Sequence, residues 1–242
     1  MKTFPMLTLV VGALLPGSLL AQIPSAPRDW QPLGVEQTVD PIFPHRLLDL
    51  GVTTGIANVA VNTDATGKLV ECLVVGYTQP EFAEAAVTAI KQWKFDPARL
   101  HGQPVGTIAE LVFNFEARGV VVSSVNLLEQ FEGRLMRMTE NRFVYRPRSL
   151  RELDRAPVAT VTVAPRYPST LAERGVKGTV TIDFFIDETG AVRMPAASAN
   201  EDFTLTALAI DALSQWKFTP PTSHGRGVLV KASQEFHFRN GG

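Results

Sequence analysis

Four histidines, one cysteine and the acidic residues of two matching turns are the side chains in this 242-residue chain best suited to metal or nucleophilic chemistry. His101 and His224 each precede a glycine at equivalent turns, so they read as hydrogen-bonding turn residues rather than halves of a shared metal site. His45 and His237 have no ligand-like spacing. Asp64 and Asp187 look like a catalytic carboxylate pair, but each opens its own Asp-x-Thr-Gly turn and has a turn-forming role. The lone Cys72 excludes an internal disulfide and reads as a small buried strand residue. Gly-x-Ser-x-Gly, His-Glu-x-x-His, Cys-x-x-Cys and phosphate-binding glycine loops are missing from the sequence. The residues point away from catalysis, and no metal or cofactor is expected. An enzyme would need a polar site assembled between two halves of the chain.

Those halves are copies of each other. A shift of 123 residues superposes Gly55 to Glu116 on Gly178 to Arg239 without a gap, with 17 identities in 62 positions. The densest block sets Gln92-Trp93-Lys94-Phe95-Asp96-Pro97 against Gln215-Trp216-Lys217-Phe218-Thr219-Pro220. Upstream, Phe43-Pro44 and Gly51 match Tyr167-Pro168 and Gly175 at a shift of 124, so one residue has been gained or lost before Gly55.

Each copy predicts the same elements. Val180, Ile182, Phe184 and Ile186 alternate with Thr179, Thr181 and Asp183, the period of a half-buried strand; Ala57, Val59 and Val61 alternate less cleanly with Asn58, Ala60 and Asn62. The Asp-x-Thr-Gly turn then leads into a second strand from Leu69 or Val192, making a hairpin. Helices follow over about Pro80 to Trp93 and Asp202 to Trp216. Phe82, Ala86, Ile90 and Trp93, like Leu205, Ala209, Leu213 and Trp216, form one apolar stripe for the sheet. A last strand ends at Phe115 or Phe238. The expected fold class is α+β: two tandem ββαβ units, each a short helix followed by a small antiparallel sheet packed by helices. The predicted organisation is a signal peptide over 1–21, a first domain over 32–118, a connector over 119–157 and a second domain over 158–240. Asn126 with Glu129 marks a helix start in the connector, and Leu128, Phe131, Leu135 and Met138 give it an apolar stripe. Seven arginines between 134 and 155 read as a solvated face, the alternative being an acidic partner or anionic lipid.

Composition sets the compartment. The chain is 45% hydrophobic and 19% charged, an ordinary globular balance, and its net charge of -1 argues against a nucleic-acid partner. Lys2 and the apolar run from Phe4 to Leu20 form a secretory signal with cleavage expected after Ala21. The alternative is an uncleaved inner-membrane anchor, in which case alone membrane association is expected.

The ordered set Tyr167-Pro168, Gly175, Gly178, Ile186-Asp187, Gly190, Ala209, Ala212, Trp216-Lys217-Phe218 and Pro220 resembles the TonB C-terminal domain family over about 75 residues, and the first copy resembles it more loosely. The resemblance implies a non-enzymatic periplasmic protein, associated with TonB-type transport, that grips a peptide of an outer-membrane transporter along its last strand. Strand addition of this kind gives affinity through main-chain hydrogen bonds and selectivity through alternate side chains. The candidate edge residues are Val105, Thr107, Ala109, Leu111 and Phe113 in the first copy, and Val228, Val230, Ala232, Gln234 and Phe236 in the second. The alternative is a structural or self-associating module whose edges are already paired, by the other copy or by Val120-Val121-Val122. The second copy, which matches the pattern more fully, is the expected presenter, and a proline at Ala232 should block it if that amide faces outward. A complete energy transducer is not expected, because residues 24 to 40 would span only about 50 Å at ~3.1 Å each.

Overall fold

The computed structural model describes residues 29–126, 143–197 and 203–239. The proposed signal peptide and the connector helix stripe from Leu128 to Met138 lie outside these residues. Asn126, expected to start that helix, is instead the last residue of a strand.

The first copy runs β1 (Trp30–Gln31), β2 (Gly34–Gln37), α1 (His45–Asp49), β3 (Thr54–Thr63), β4 (Leu69–Tyr77), α2 (Pro80–Ile90), β5 (Lys94–Asp96), β6 (Ala98–Leu100), β7 (Gln103–Val105), β8 (Thr107–Glu116) and β9 (Gly119–Asn126). The second runs β10 (Ala159–Val161), α3 (Ser169–Glu173), β11 (Gly178–Ile186), β12 (Val192–Ala197), α4 (Phe203–Leu213), β13 (Lys217–Phe218), β14 (Thr222–Ser223), β15 (Arg226–Gly227) and β16 (Val230–Phe238). The main sheets are antiparallel, with orders β4-β3-β8-β9 and β12-β11-β16. Helices α2 and α4 sit 123 residues apart, as the repeat requires.

Each helix buries the expected stripe. Phe82, Ala86 and Ile90 pack with Val59, Val61 and Phe113; Leu205, Ala209 and Leu213 pack with Val180, Ile182 and Phe236. Proline at the first position of α2 fits there because that amide has no helical partner. Both helices end three residues earlier than the periodicity suggests. The chain leaves the helix so that β5 can pair with β2, and β13 with β10. This exit buries Trp93 and Trp216 against their sheets. Each indole Nε1 donates at 2.8 Å to a lead-in carbonyl, Val39 or Val163. The tryptophan thus fastens the lead-in strand of its own copy, a role the repeat marked only as conserved spacing.

The sheets meet through the faces opposite their helices. Ala60, Leu73 and Val75 of the first copy form a common core with Phe185, Met194 and Leu229 of the second. Met194 has φ +49 within an irregular stretch of the β11–β12 pairing, and its side chain is buried in this core. A bulge re-aiming one side chain is the usual use of such a kink. Arg193 bridges Glu71 of the first copy and, at 3.3 Å, Asp187 of its own. The two copies form one body with layers in the order helix, sheet, sheet, helix.

Candidate functional site

The two last strands differ at their outer edges. In the first copy, β9 pairs with β8 along its length, from Ala109 opposite Asn126 to Glu116 opposite Gly119. Ala109, Leu111 and Phe113 therefore lie inside a ladder paired on both sides, and their side chains are buried toward α2. Thr107 begins β8 opposite Thr63, and Val105 belongs to β7, paired with Ala98.

In the second copy β16 is the end of its sheet. Among the described residues its outer edge is touched only at the start, where Arg148 lies parallel to Val230. The Arg148 amide donates to the Leu229 carbonyl at 2.7 Å, and the Lys231 amide donates to the Arg148 carbonyl at 3.2 Å. Backbone groups alternate along a strand, so Ser233, Glu235 and His237 also point their amides and carbonyls outward. Ala232 does not: its amide faces β11, opposite Phe184. A proline there would strike the sheet interior, so Ser233 is the position that tests the edge. Val230 and Phe236 are buried on the helix side, Ala232 and Gln234 are half-buried there, and Val228 precedes the strand with its amide donating to Pro221.

The open stretch carries its own partial protection. Gln234 Nε2 donates at 2.8 Å to the Glu235 carbonyl, occupying one outward acceptor. On the face away from α4, His237 Nδ1 lies 2.9 Å from Thr179 Oγ1 and its Nε2 lies 3.8 Å from a Glu235 oxygen. On the other face a shallow groove is lined by Pro165, Tyr167, Phe236, His237, Phe238 and Arg239. Beside the segment carrying Arg148, a strap across the start of β16, burial lowers the Lys231 ammonium pKa, opposed by Asp183 and by Glu110 of the first copy.

The segment carrying Arg148 is the feature that sequence reasoning missed. Tyr145 stacks on Tyr77 with ring centroids 5.0 Å apart and donates through its hydroxyl to Glu188 at 2.7 Å, touching both copies. Burial, then this hydrogen bond, pushes its pKa up. Arg146 and Arg148 both bond Glu152, whose other oxygen accepts from the Ser149 amide and hydroxyl in a capping box. The signal was present in the sequence: Ser149 and Glu152 stand three apart, the spacing of that motif. Two of the seven arginines in this stretch are thereby held by one carboxylate rather than free, leaving the trio a net charge of +1.

The residues first considered for chemistry serve turns. Asp64 accepts from the Thr66 amide and hydroxyl and the Lys68 amide; Asp187 repeats the set with Thr189 and Ala191. The following Gly67 and Gly190 adopt φ +81 and +84, and a Cβ on either would lie 2.3 or 2.0 Å from the carbonyl oxygen of Phe95 or Phe218. His101 and His224 have positive φ before a glycine, at the tips of the β6–β7 and β14–β15 hairpins. His101 Nδ1 lies 3.1 Å from Asp29, whereas the His224 and Gly225 amides clasp the Asp154 carboxylate. Cys72 is half-buried in β4, and burial raises its thiol pKa. Among the described residues no three His, Cys, Asp or Glu side chains gather as a metal site, and no helix is long and apolar enough to cross a membrane.

Comparison with known proteins returns the same repeat. The family model described as Gram-negative bacterial TonB protein C-terminal matches twice, at residues 40–117 and 163–239. A curated relative, Protein TonB of Vibrio cholerae serotype O1, is 32% identical over 88 residues, which are 36% of this chain and 36% of that protein. The chain thus spans little more than a third of that relative's length. A solution NMR structure of the Pseudomonas aeruginosa TonB CTD is 25% identical and covers 38% of this chain and 92% of that one, with a TM-score of 0.32. With two matches that together take in well over half of its residues, the chain belongs to the family of Gram-negative bacterial TonB C-terminal domains, as a tandem pair.

Proposed function

We propose that this periplasmic, non-enzymatic protein binds an extended partner peptide by strand addition to the outer edge of β16. Membership of the TonB C-terminal family supports partner-peptide binding without catalysis. The observation that carries the finer reading is the difference between the copies: β9 closes the edge of β8, whereas among the described residues no strand closes the edge of β16, along which Ser233, Glu235 and His237 point their amides and carbonyls outward. A segment of an outer-membrane transporter is the partner this reading favours. The first copy then serves as support, fixing β11 and β16 from behind through Phe185 and Leu229.

The test uses the full chain and synthetic peptides from the periplasm-facing ends of outer-membrane transporters. Ser233→Pro removes one outward donor from an edge strand, where proline is tolerated, while Ser233→Ala keeps the amide. At least a tenfold loss of affinity is expected for the first variant and little change for the second, each with an unaltered near-ultraviolet dichroism spectrum. Equal binding by Ser233→Pro would remove the edge from the account.

A further inference from the structure

The repeat keeps the helix-side cores alike and makes the faces between the sheets unlike. At the 123-residue shift Val59 matches Ile182, Ile90 matches Leu213 and Phe113 matches Phe236, apolar in both copies. Phe185, Met194 and Leu229, the second copy's part of the shared core, stand instead where the first copy has Asn62, Glu71 and Gly106, and Ala60 stands where the second has Asp183. Two charged groups flank this core, and in both the second copy supplies the cation. Arg193 is held between Glu71 of the first copy and, at 3.3 Å, Asp187 of its own, all three partly buried. Lys231 lies opposite Phe185, two residues beyond Leu229 on the same face, and is attracted by Asp183 of its own copy and by Glu110 of the first. Glu110 is buried opposite Ala60, where it accepts the hydrogen bond from Asn58 Nδ2. The repeat partners of the two cations are Val70 and Ile108, and those of the two first-copy carboxylates are Met194 and Ser233.

We infer that the face between the sheets is an interaction surface coded for unlike pairing: the first copy's carboxylates accept a face that carries cations, and each face rejects its own kind, on the same chain or another. A first-copy face laid on another first-copy face would bury Glu71 and Glu110 against Val70, Ile108 and Ala60. Two second-copy faces would leave Arg193 and Lys231 without a carboxylate from across the interface. Removing one partner of a buried ion pair costs far more than the intact pair contributes, so the arrangement selects by rejecting like faces. The partner that fits either face is therefore the other copy. This inference is independent of strand addition at β16.

The test is urea unfolding of the full chain followed by tryptophan fluorescence. Glu71→Arg sets two cations face to face, and Arg193→Glu gathers three carboxylates; each should lower the midpoint by about 1 M. The two together restore opposite signs across the interface and should recover at least about half of the summed loss. Glu71→Gln, which keeps an acceptor without the charge, should cost clearly less than Glu71→Arg. Glu110→Lys and Lys231→Glu form a second cycle with the same expected sign. Rejection itself is tested by making the faces alike. Arg193→Glu with Lys231→Glu puts carboxylates on both, and the copies should then unfold in separate transitions, read from Trp30 and Trp93 in the first and from Trp216 in the second. Adding Glu71→Arg and Glu110→Lys reverses both faces and should bring the transitions back together. Losses that simply add in the paired reversals overturn the code, because the signs then do not matter. Copies that still unfold together when their faces are alike overturn it too, as does a fourfold variant whose transitions stay apart.

Discussion

Phe185 offers the sharpest test of whether the two copies act as one body. It lies on the face of β11 away from α4, 5% exposed, in the core shared with Ala60, Leu73 and Val75 of the first copy. Phe185→Ala therefore removes contact between copies while leaving the helix-side core of Val180, Ile182 and Phe184 in place. Truncating a buried phenylalanine costs ~3 to 5 kcal/mol, and most of that loss should fall on the coupling. With a urea dependence of ~2 kcal/mol per molar, a coupling loss of about 4 kcal/mol separates the two unfolding midpoints by up to ~2 M. The chain supplies its own reporters. Trp216→Phe leaves Trp30 and Trp93, both in the first copy; Trp30→Phe with Trp93→Phe leaves only Trp216 in the second. In the parent chain the two fluorescence transitions should approach each other, and in Phe185→Ala they should part. Transitions that Phe185→Ala leaves unmoved would refute the shared core, as would two widely separated transitions already in the parent chain.

Each of Trp93→Phe and Trp216→Phe should cost ~1 to 3 kcal/mol in urea unfolding, because the ring's apolar bulk largely remains while the Val39 or Val163 carbonyl loses its donor; a near-zero cost for both would show that the lead-in strands are not fastened there. The strap should respond to acid. Burial alone would raise the Glu152 carboxyl, but hydrogen bonds from Arg146 and Ser149 outweigh it and hold the pKa at about 2, below its ordinary 4.5. A carboxylate depressed on folding stabilises above its unfolded pKa, and that contribution fades as pH falls from about 5 toward 2. The protection factors of the Arg148 and Lys231 amides, each referred to the intrinsic exchange rate at that pH, should fall across that window, and Glu152→Gln should lower them already at neutral pH; protection in the parent chain that does not change with pH contradicts the anchoring role.

Much of this architecture was legible in the residues because each unit obeys local rules twice over. The stripe of Phe82, Ala86 and Ile90, the Asp-x-Thr-Gly turns and the alternation through Val180 to Ile186 each fix an element without reference to the rest of the chain, and the shift of 123 repeats them. What stayed hidden depended on contacts between distant segments. The pairing of β2 with β5 and of β10 with β13, the parallel bridge from Arg148 to Val230 and the core between sheets have no periodic signature in any one window.

The weak alternation of the first copy's opening strand shows how such a hidden contact can change the meaning of a visible pattern. Read alone, Asn58 and Asn62 beside Ala57, Val59 and Val61 suggest a copy that has drifted. Asn58 is in fact buried with a 2.7 Å hydrogen bond to the buried Glu110, Asn62 is half-buried, and Ala60 between them is buried against the second copy. A strand covered on both faces has no polar side to alternate with, so the pattern records packing rather than decay. The copy that looked divergent is shaped by two partners, α2 on one face and the second sheet on the other, and its last edge is filled by its own β9. Those demands leave it no free main-chain edge on β8. In the second copy the first sheet meets β11 at Phe185 and leaves Thr179 exposed, and among the described residues no strand fills the last edge, so β16 keeps the outward row from Ser233 to His237 on which the binding reading depends.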